Sequence, residues 1–276
     1  MKVITYVTKK DQYYNSLEDS CKKFNYTLIT LGLNTKWNGM SDKIKGVRNY
    51  LAELKNKDEF VIVVDGYDVI ACRDSKDLLA TFNSTFDDNH IIFNAERLTN
   101  SYLISMLWET SYSSKKCGNT KYNKLNAGAL MAKTSVLLEF YDYMIAEFNL
   151  NEQHAKSDQK LIYNIMDKDE RNIRVDSHCN IFTTFGLQND LVIKSDKKLY
   201  NSYSKTYPFF IHGPGKNTKM DKYINAVDVK LDYTKENELS LAKIHNEHIH
   251  FDLLVFIVLL VLFTVIFFAY RFKRSA

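Results

Sequence analysis

The sequence predicts an α/β domain built on a mostly parallel sheet, followed by one C-terminal transmembrane helix. Short apolar runs alternate with helical stretches from Lys2 to about Thr234, as βαβ units require. The run Phe60-Val61-Ile62-Val63-Val64 is apolar at every position, as expected of a central strand covered on both faces. The third observation is an uncharged apolar run from Leu253 to Tyr270. As a helix it would rise about 27 Å, close to the ~30 Å hydrocarbon core.

In chain order, Met1–Val7 is soon followed by Lys9, Lys10 and Asp11, so it reads as a first strand rather than a signal peptide. The strand candidates are Val3–Val7, Tyr26–Leu31, Phe60–Val64, Ile91–Asn94, Ala127–Ala132 and Phe209–Ile211. Helices are expected over Gln12–Phe24, Ser41–Lys55, Ser75–Phe82, Ser135–Phe148, Ser157–Met166 and Lys219–Ala226. The chain thus divides into a domain over residues 1–234, a polar juxtamembrane stalk over 235–252, the transmembrane helix over 253–270 and a basic tail over 271–276. His245, His248 and His250 of the stalk read as solvated side chains. A single-pass protein anchored at its C-terminus follows. Arg271, Lys273 and Arg274 favour a cytosolic tail, whereas no N-terminal segment is visible to send the domain across a membrane, so the side it occupies is left undecided between lumen and cytoplasm.

Composition narrows the function classes. Of the 276 residues 45% are apolar and 25% charged, which excludes a disordered chain. The net charge is only +4, and three of the basic residues sit at the extreme C-terminus, so a nucleic-acid partner is not expected. Cys21, Cys72, Cys117 and Cys179 form no C-x-x-C pair, which leaves a zinc site of that kind without support. Two N-x-S/T triplets begin at Asn25 and Asn83.

Chemistry is expected just beyond the central strand, because open α/β sheets bind ligands at the carboxyl ends of their strands. There stand Asp65-Gly66-Tyr67-Asp68. Two carboxylates three residues apart, with Gly66 permitting a bend, can aim at one cation that would neutralise a nucleotide diphosphate. The plainer reading makes them turn or cap residues. A second loop, His212-Gly213-Pro214-Gly215-Lys216-Asn217-Thr218-Lys219, follows the apolar Phe209-Phe210-Ile211. Its glycines let backbone N–H groups approach phosphates, and Lys216 and Lys219 add positive charge. His212 either completes the coordination of the ion or is a hydrogen-bonded core histidine. Two carboxylates and an imidazole suit manganese better than magnesium.

Taken together, Phe24-Asn25-Tyr26-Thr27, Gly32-Leu33, Trp37-Asn38-Gly39, Lys43, Val64-Asp65-Gly66-Tyr67-Asp68-Val69-Ile70, Phe93-Asn94-Ala95-Glu96, Leu125-Asn126-Ala127-Gly128, Asp158-Gln159 and His212-Gly213 form an ordered series. In order and spacing it resembles the glycosyltransferase domain of the multifunctional procollagen lysyl hydroxylases, a pattern shared more broadly by the procollagen galactosyltransferases. The resemblance implies a GT-A type fold that transfers a hexose, glucose or galactose, from a UDP-sugar to a hydroxyl acceptor with the help of manganese. Hydroxylysine of a collagen-like protein is the acceptor it suggests, and a protein or glycan the wider class.

By position, the resemblance assigns the metal to Asp65, Asp68 and His212. It places Tyr67 near the uridine and Thr8, Trp37 and Lys43 along the nucleotide end. Gly213, Gly215 and a lysine of the following loop, Lys216 or Lys219, fall to the diphosphate. Asn126 and Asp158 fall to the donor sugar or acceptor, Asp158 as the acid/base or sugar-orienting candidate. The chain departs from the family where Ser157-Asp158 replaces a longer acidic run and Arg97-Leu98-Thr99-Asn100 replaces an aromatic-proline segment. Two other readings compete with a transferase. One is a membrane-anchored module that binds UDP-sugar or glycan without turnover. The other is a phosphatase of the haloacid dehalogenase type, although that chemistry places its second aspartate two residues after the first.

Overall fold

The computed structural model describes residues 1–97, 120–150, 157–168, 172–186, 190–214 and 219–231, together with 253, 256–261 and 263–265. Among them a six-stranded sheet runs in the order β2-β1-β3-β6-β5-β7. Its strands are β1 (Lys2–Tyr6), β2 (Thr27–Leu31), β3 (Phe60–Val64), β5 (Ile91–Glu96), β6 (Lys124–Lys133) and β7 (Ile173–Val175). The pairs β1–β2, β1–β3 and β5–β7 are parallel, while the long β6 runs antiparallel to both β3 and β5. As the alternation predicted, β3 lies inside the sheet with Val61, Ile62, Val63 and Val64 buried.

Helices cover both faces. In α1 (Tyr14–Lys23) the buried Tyr14, Leu17 and Cys21 recur at three- and four-residue steps, as do Ile44, Val47 and Leu51 in α2 (Met40–Glu53). The core on one face joins α2 to α4 (Thr134–Leu150) and α5 (Asp158–Lys168) through Phe93, Leu130, Phe140 and Ile162. Between α2 and α4 the chain forms the short α3 (Leu78–Asn83), whose Leu78 and Phe82 belong to the opposite face.

A second, three-stranded sheet stands against that opposite face. In it β4 (Val69–Ala71) and β8 (Phe182–Thr184) flank β11 (Phe210–His212), antiparallel and parallel to it respectively. Ile62 and Val64 of the large sheet share one buried cluster with Val69, Ala71, Phe182 and Phe210 of the small one. The hairpin of β9 (Leu191–Ile193) and β10 (Leu199–Asn201) and the helix α6 (Lys219–Ala226) complete the described domain.

The C-terminal expectation is overturned. Among the described residues no helix is long and apolar enough to cross a membrane. The transmembrane helix, and with it the single-pass anchor and the membrane as partner, are therefore withdrawn. The expected stalk over 235–252, with its three histidines, and the basic tail over 271–276 lie outside the described residues.

Candidate active site

The end of β3 and the start of β4 are joined by Asp65-Gly66-Tyr67-Asp68. This loop crosses from the large sheet to the small one, so its two carboxylates sit at the seam. The Asp65 N–H donates to the Gly128 carbonyl of β6, and the Asp68 carbonyl accepts from the Gly213 N–H just after β11. His212 pairs in register with Val69. The strands thus deliver the imidazole to the carboxylates, and one ligand atom from each of Asp65, Asp68 and His212 lies within 4.8 Å of the others.

Two glycines make this approach possible. A Cβ on Gly128 would lie 2.2 Å from Cε1 of His212, so any side chain there would expel the ring. A Cβ on Gly66 would lie 2.1 Å from Val7 Cγ1. Gly66 is absent from the residues with positive φ, so close packing against β1, rather than the expected sharp bend, requires glycine there.

The histidine is held from behind. Its Nδ1 lies 2.9 Å from Asn126 Oδ1, and the Asn126 Nδ2 donates to Glu96 at 3.0 Å. Because a carboxylate accepts, the amide is oriented with its oxygen toward the imidazole, which puts the proton on Nδ1 and the free lone pair on Nε2. Nε2 and Asp68 Oδ1 are both buried without a hydrogen-bond partner, with Nε2 3.3 Å from Asp68 Oδ2. Burial pulls the His212 pKa down, but Asp68, Asp65 and Glu96 more than reverse this and leave it raised. The same field that favours a proton favours a cation. A buried orphan nitrogen facing two carboxylates is a donor set that fits a divalent metal ion.

Beside this cluster a cavity of about 480 Å³ is lined by Thr8, Trp37, Lys43, Asp65, Tyr67 and Asp68. Trp37 is 44% exposed, with its ring 5.9 Å from that of Tyr6. The Tyr67 hydroxyl donates to the Lys9 carbonyl at 3.1 Å, which fixes that ring on the β1–α1 loop. Lys43, in the first turns of α2, donates to Asp65 at 2.6 Å and to Asp158 at 2.8 Å. Ser157 caps α5 by accepting from the Lys160 N–H, and Asp158 accepts from Gln159 N while turning its other oxygen to Lys43.

The sequence-predicted residues therefore divide. Asp65, Asp68, Thr8, Trp37, Lys43 and Tyr67 line one cleft, with the buried His212 clustered on its two aspartates and Asp158 joined to it through Lys43. Asn126 is beside them, with its amide engaged by Glu96, His212 and Gly128. The Gly213 N–H is already donated to Asp68. The Lys219 ammonium donates to the Gly186 carbonyl at 3.0 Å, and burial lowers its pKa. Gly215 and Lys216 lie outside the described residues. The sequence reading did not assign Asn94, Glu96 or Gln159 a role. Gln159 donates to Glu96 at 3.2 Å, Asn94 donates to Thr184 at 2.6 Å, and burial raises the Glu96 pKa. All three stand in segments already quoted for the resemblance, which was the one signal available.

Comparison with known proteins matches residues 1–237 to the family described as the PLOD GT domain. The chain belongs to that family. Among PLOD-domain relatives, the multifunctional procollagen lysine hydroxylase and glycosyltransferase of Caenorhabditis elegans is 26% identical over 243 residues, 80% of this chain and 31% of that one. Procollagen-lysine,2-oxoglutarate 5-dioxygenase 2 of Mus musculus is 24% identical over 263 residues, 88% of this chain and 33% of that one. An uncharacterized protein of Acanthamoeba polyphaga mimivirus is 25% identical over 214 residues, 74% and 43% of the two chains. The chain thus spans less than half the length of these relatives. Among solved structures, the galactosyltransferase LgtC with donor and acceptor sugar analogs has 12% identity and a TM-score of 0.46, covering 86% of this chain and 98% of that one.

Proposed function

We propose that this PLOD-family domain is a metal-dependent hexosyltransferase that moves glucose or galactose from a UDP-sugar to a hydroxyl of a protein or glycan. The observation that carries the reading is the orphaned Nε2 of His212 facing Asp65 and Asp68 at the edge of an open cleft. A divalent ion, manganese by the nitrogen-and-oxygen donor set, would neutralise the diphosphate and make it a better leaving group. Asp65, Asp68 and His212 would hold it.

The remaining steps belong to the chain. Trp37 and Tyr67 offer aromatic faces to the base at the outer end of the cleft. Asp158, fixed by Lys43, presents a carboxylate that orients sugar hydroxyls. Asn126 and Glu96 lock the tautomer of His212 from behind. Hydroxylysine of a collagen-like protein is the acceptor that the family names suggest.

The test is UDP release from a panel of UDP-sugars with manganese, in the presence of hydroxylysine peptides. EDTA abolishes release if the reading is right. A purified protein that binds no UDP with any divalent ion would end it.

A further inference from the structure

We propose that Lys43 is a built-in counter-ion that makes divalent-cation binding at Asp65, Asp68 and His212 conditional on a nucleotide diphosphate. The inference rests on the reading of that site as a metal centre and adds a rule for the order in which it fills.

Lys43 stands where a phosphate-binding lysine would be sought, yet its ammonium is already spent on two carboxylates, Asp65 at 2.6 Å and Asp158 at 2.8 Å. The arrangement is sheltered, with the Lys43 side chain 12% exposed and Asp158 15% exposed. Lys43 and Asp158 share the lining of a small cavity with Ile44, Leu130, Phe140 and Tyr141, and the two salt bridges seat the ammonium between its carboxylates. A fixed positive charge therefore sits on a carboxylate that the ion needs.

The consequence is electrostatic. A dication approaching Asp65 meets a unit charge at close range, and the two compete for one carboxylate. A diphosphate entering the cleft brings at least two negative charges, which offset Lys43 and restore the attraction. Cation and diphosphate then favour each other's binding, by the same factor in either direction. Asp158 gives the ammonium a second seat, so Lys43 stays in the cleft rather than swinging into solvent.

The experiment is calorimetric titration of manganese chloride into the full chain, with and without UDP, for the wild type, Lys43→Met and Lys43→Arg. Wild type is expected to bind manganese at least about tenfold more tightly with UDP. Lys43→Met gains roughly tenfold in manganese affinity without UDP and shrinks the UDP effect by the same factor, whereas Lys43→Arg behaves as wild type. Lys43→Met strands a sheltered Asp158, so Lys43→Met/Asp158→Asn serves as the companion variant. A folded Met variant that binds manganese without UDP no more tightly than wild type overturns the proposal. So does a wild type whose manganese affinity is indifferent to UDP, a result that needs no variant to fold. Absence of manganese binding in every protein, with or without UDP, removes the metal-site reading itself and is recognisable as such.

Discussion

The wall that lines the cleft and the wall behind it are built on opposite plans. The wall from β1, α2 and the β3–β4 loop is open, with Trp37 44% exposed and the Asp65 side chain 37% exposed. The wall from β5, β6 and β11 is dry, with Asn94 at 0%, His212 at 3% and Asn126 at 4%. The first wall offers surfaces to a ligand. The second spends its polar groups on one another, in the chain Gln159–Glu96–Asn126–His212. A site of this kind separates holding from aiming, and substitutions on the two walls should fail differently.

The sharpest test of that contrast is at the seam. Asp68→Ala removes a candidate ligand with little packing, and UDP release should fall about a thousandfold or more while the melting temperature barely moves. A large loss of stability with activity retained would mean that Asp68 belongs to the structural wall. Gly128→Ala is the dry-wall counterpart: its Cβ would collide with the His212 ring, so the variant should lose about 1–3 kcal/mol in denaturant unfolding and also its manganese binding. A variant that keeps both would show that the ring is not fixed as described.

On the open wall, Trp37→Ala should weaken UDP binding by about 1–3 kcal/mol, the range of base–aromatic stacking. Its unfolding free energy should change by no more than about 0.5 kcal/mol, as for exposed sites. Calorimetry and urea unfolding on one preparation would separate the two. The smallest effect concerns pH. Burial raises the Glu96 pKa, so the folded state binds the proton more tightly than the unfolded state. Stability therefore falls as pH rises from the ordinary glutamate value of 4.5 through the raised one, then levels off. Glu96→Gln should flatten that interval in melting temperature against pH, and an unchanged slope would assign it to other groups.

The open wall was the more legible one in the sequence. Asp65, Asp68, Trp37 and Lys43 lie within one βαβ stretch where strand ends are marked by composition, and the apolar run of β3 pointed straight at the loop. The dry wall joins residues as far apart as Asn126 and His212, and a hydrogen bond across 86 positions leaves no local pattern. Asn126 shows the limit: its place was legible from the series of motifs, its hydrogen bonds to His212 and Glu96 were not. Lys219 is similar, because its hydrogen bond to the Gly186 carbonyl leaves no local pattern either. The strand candidates all correspond to observed strands, but the antiparallel insertion of β6 between β3 and β5 follows from no residue taken singly. The C-terminal reading was overturned because an apolar run does not by itself fix the length of a helix, and among the described residues no helix is long and apolar enough to cross a membrane.

Asp65 follows a strand of the large sheet, whereas His212 closes one of the small sheet, and the loop Asp65–Asp68 is where the chain passes from the first sheet to β4, the strand paired with β11. The spacing of the three side chains is therefore set from beneath, where Ile62 and Val64 share one buried cluster with Phe182 and Phe210. Trimming one of those greasy side chains would detune the grip without touching a ligand, much as a loosened hinge spoils the bite of pliers whose jaws are intact.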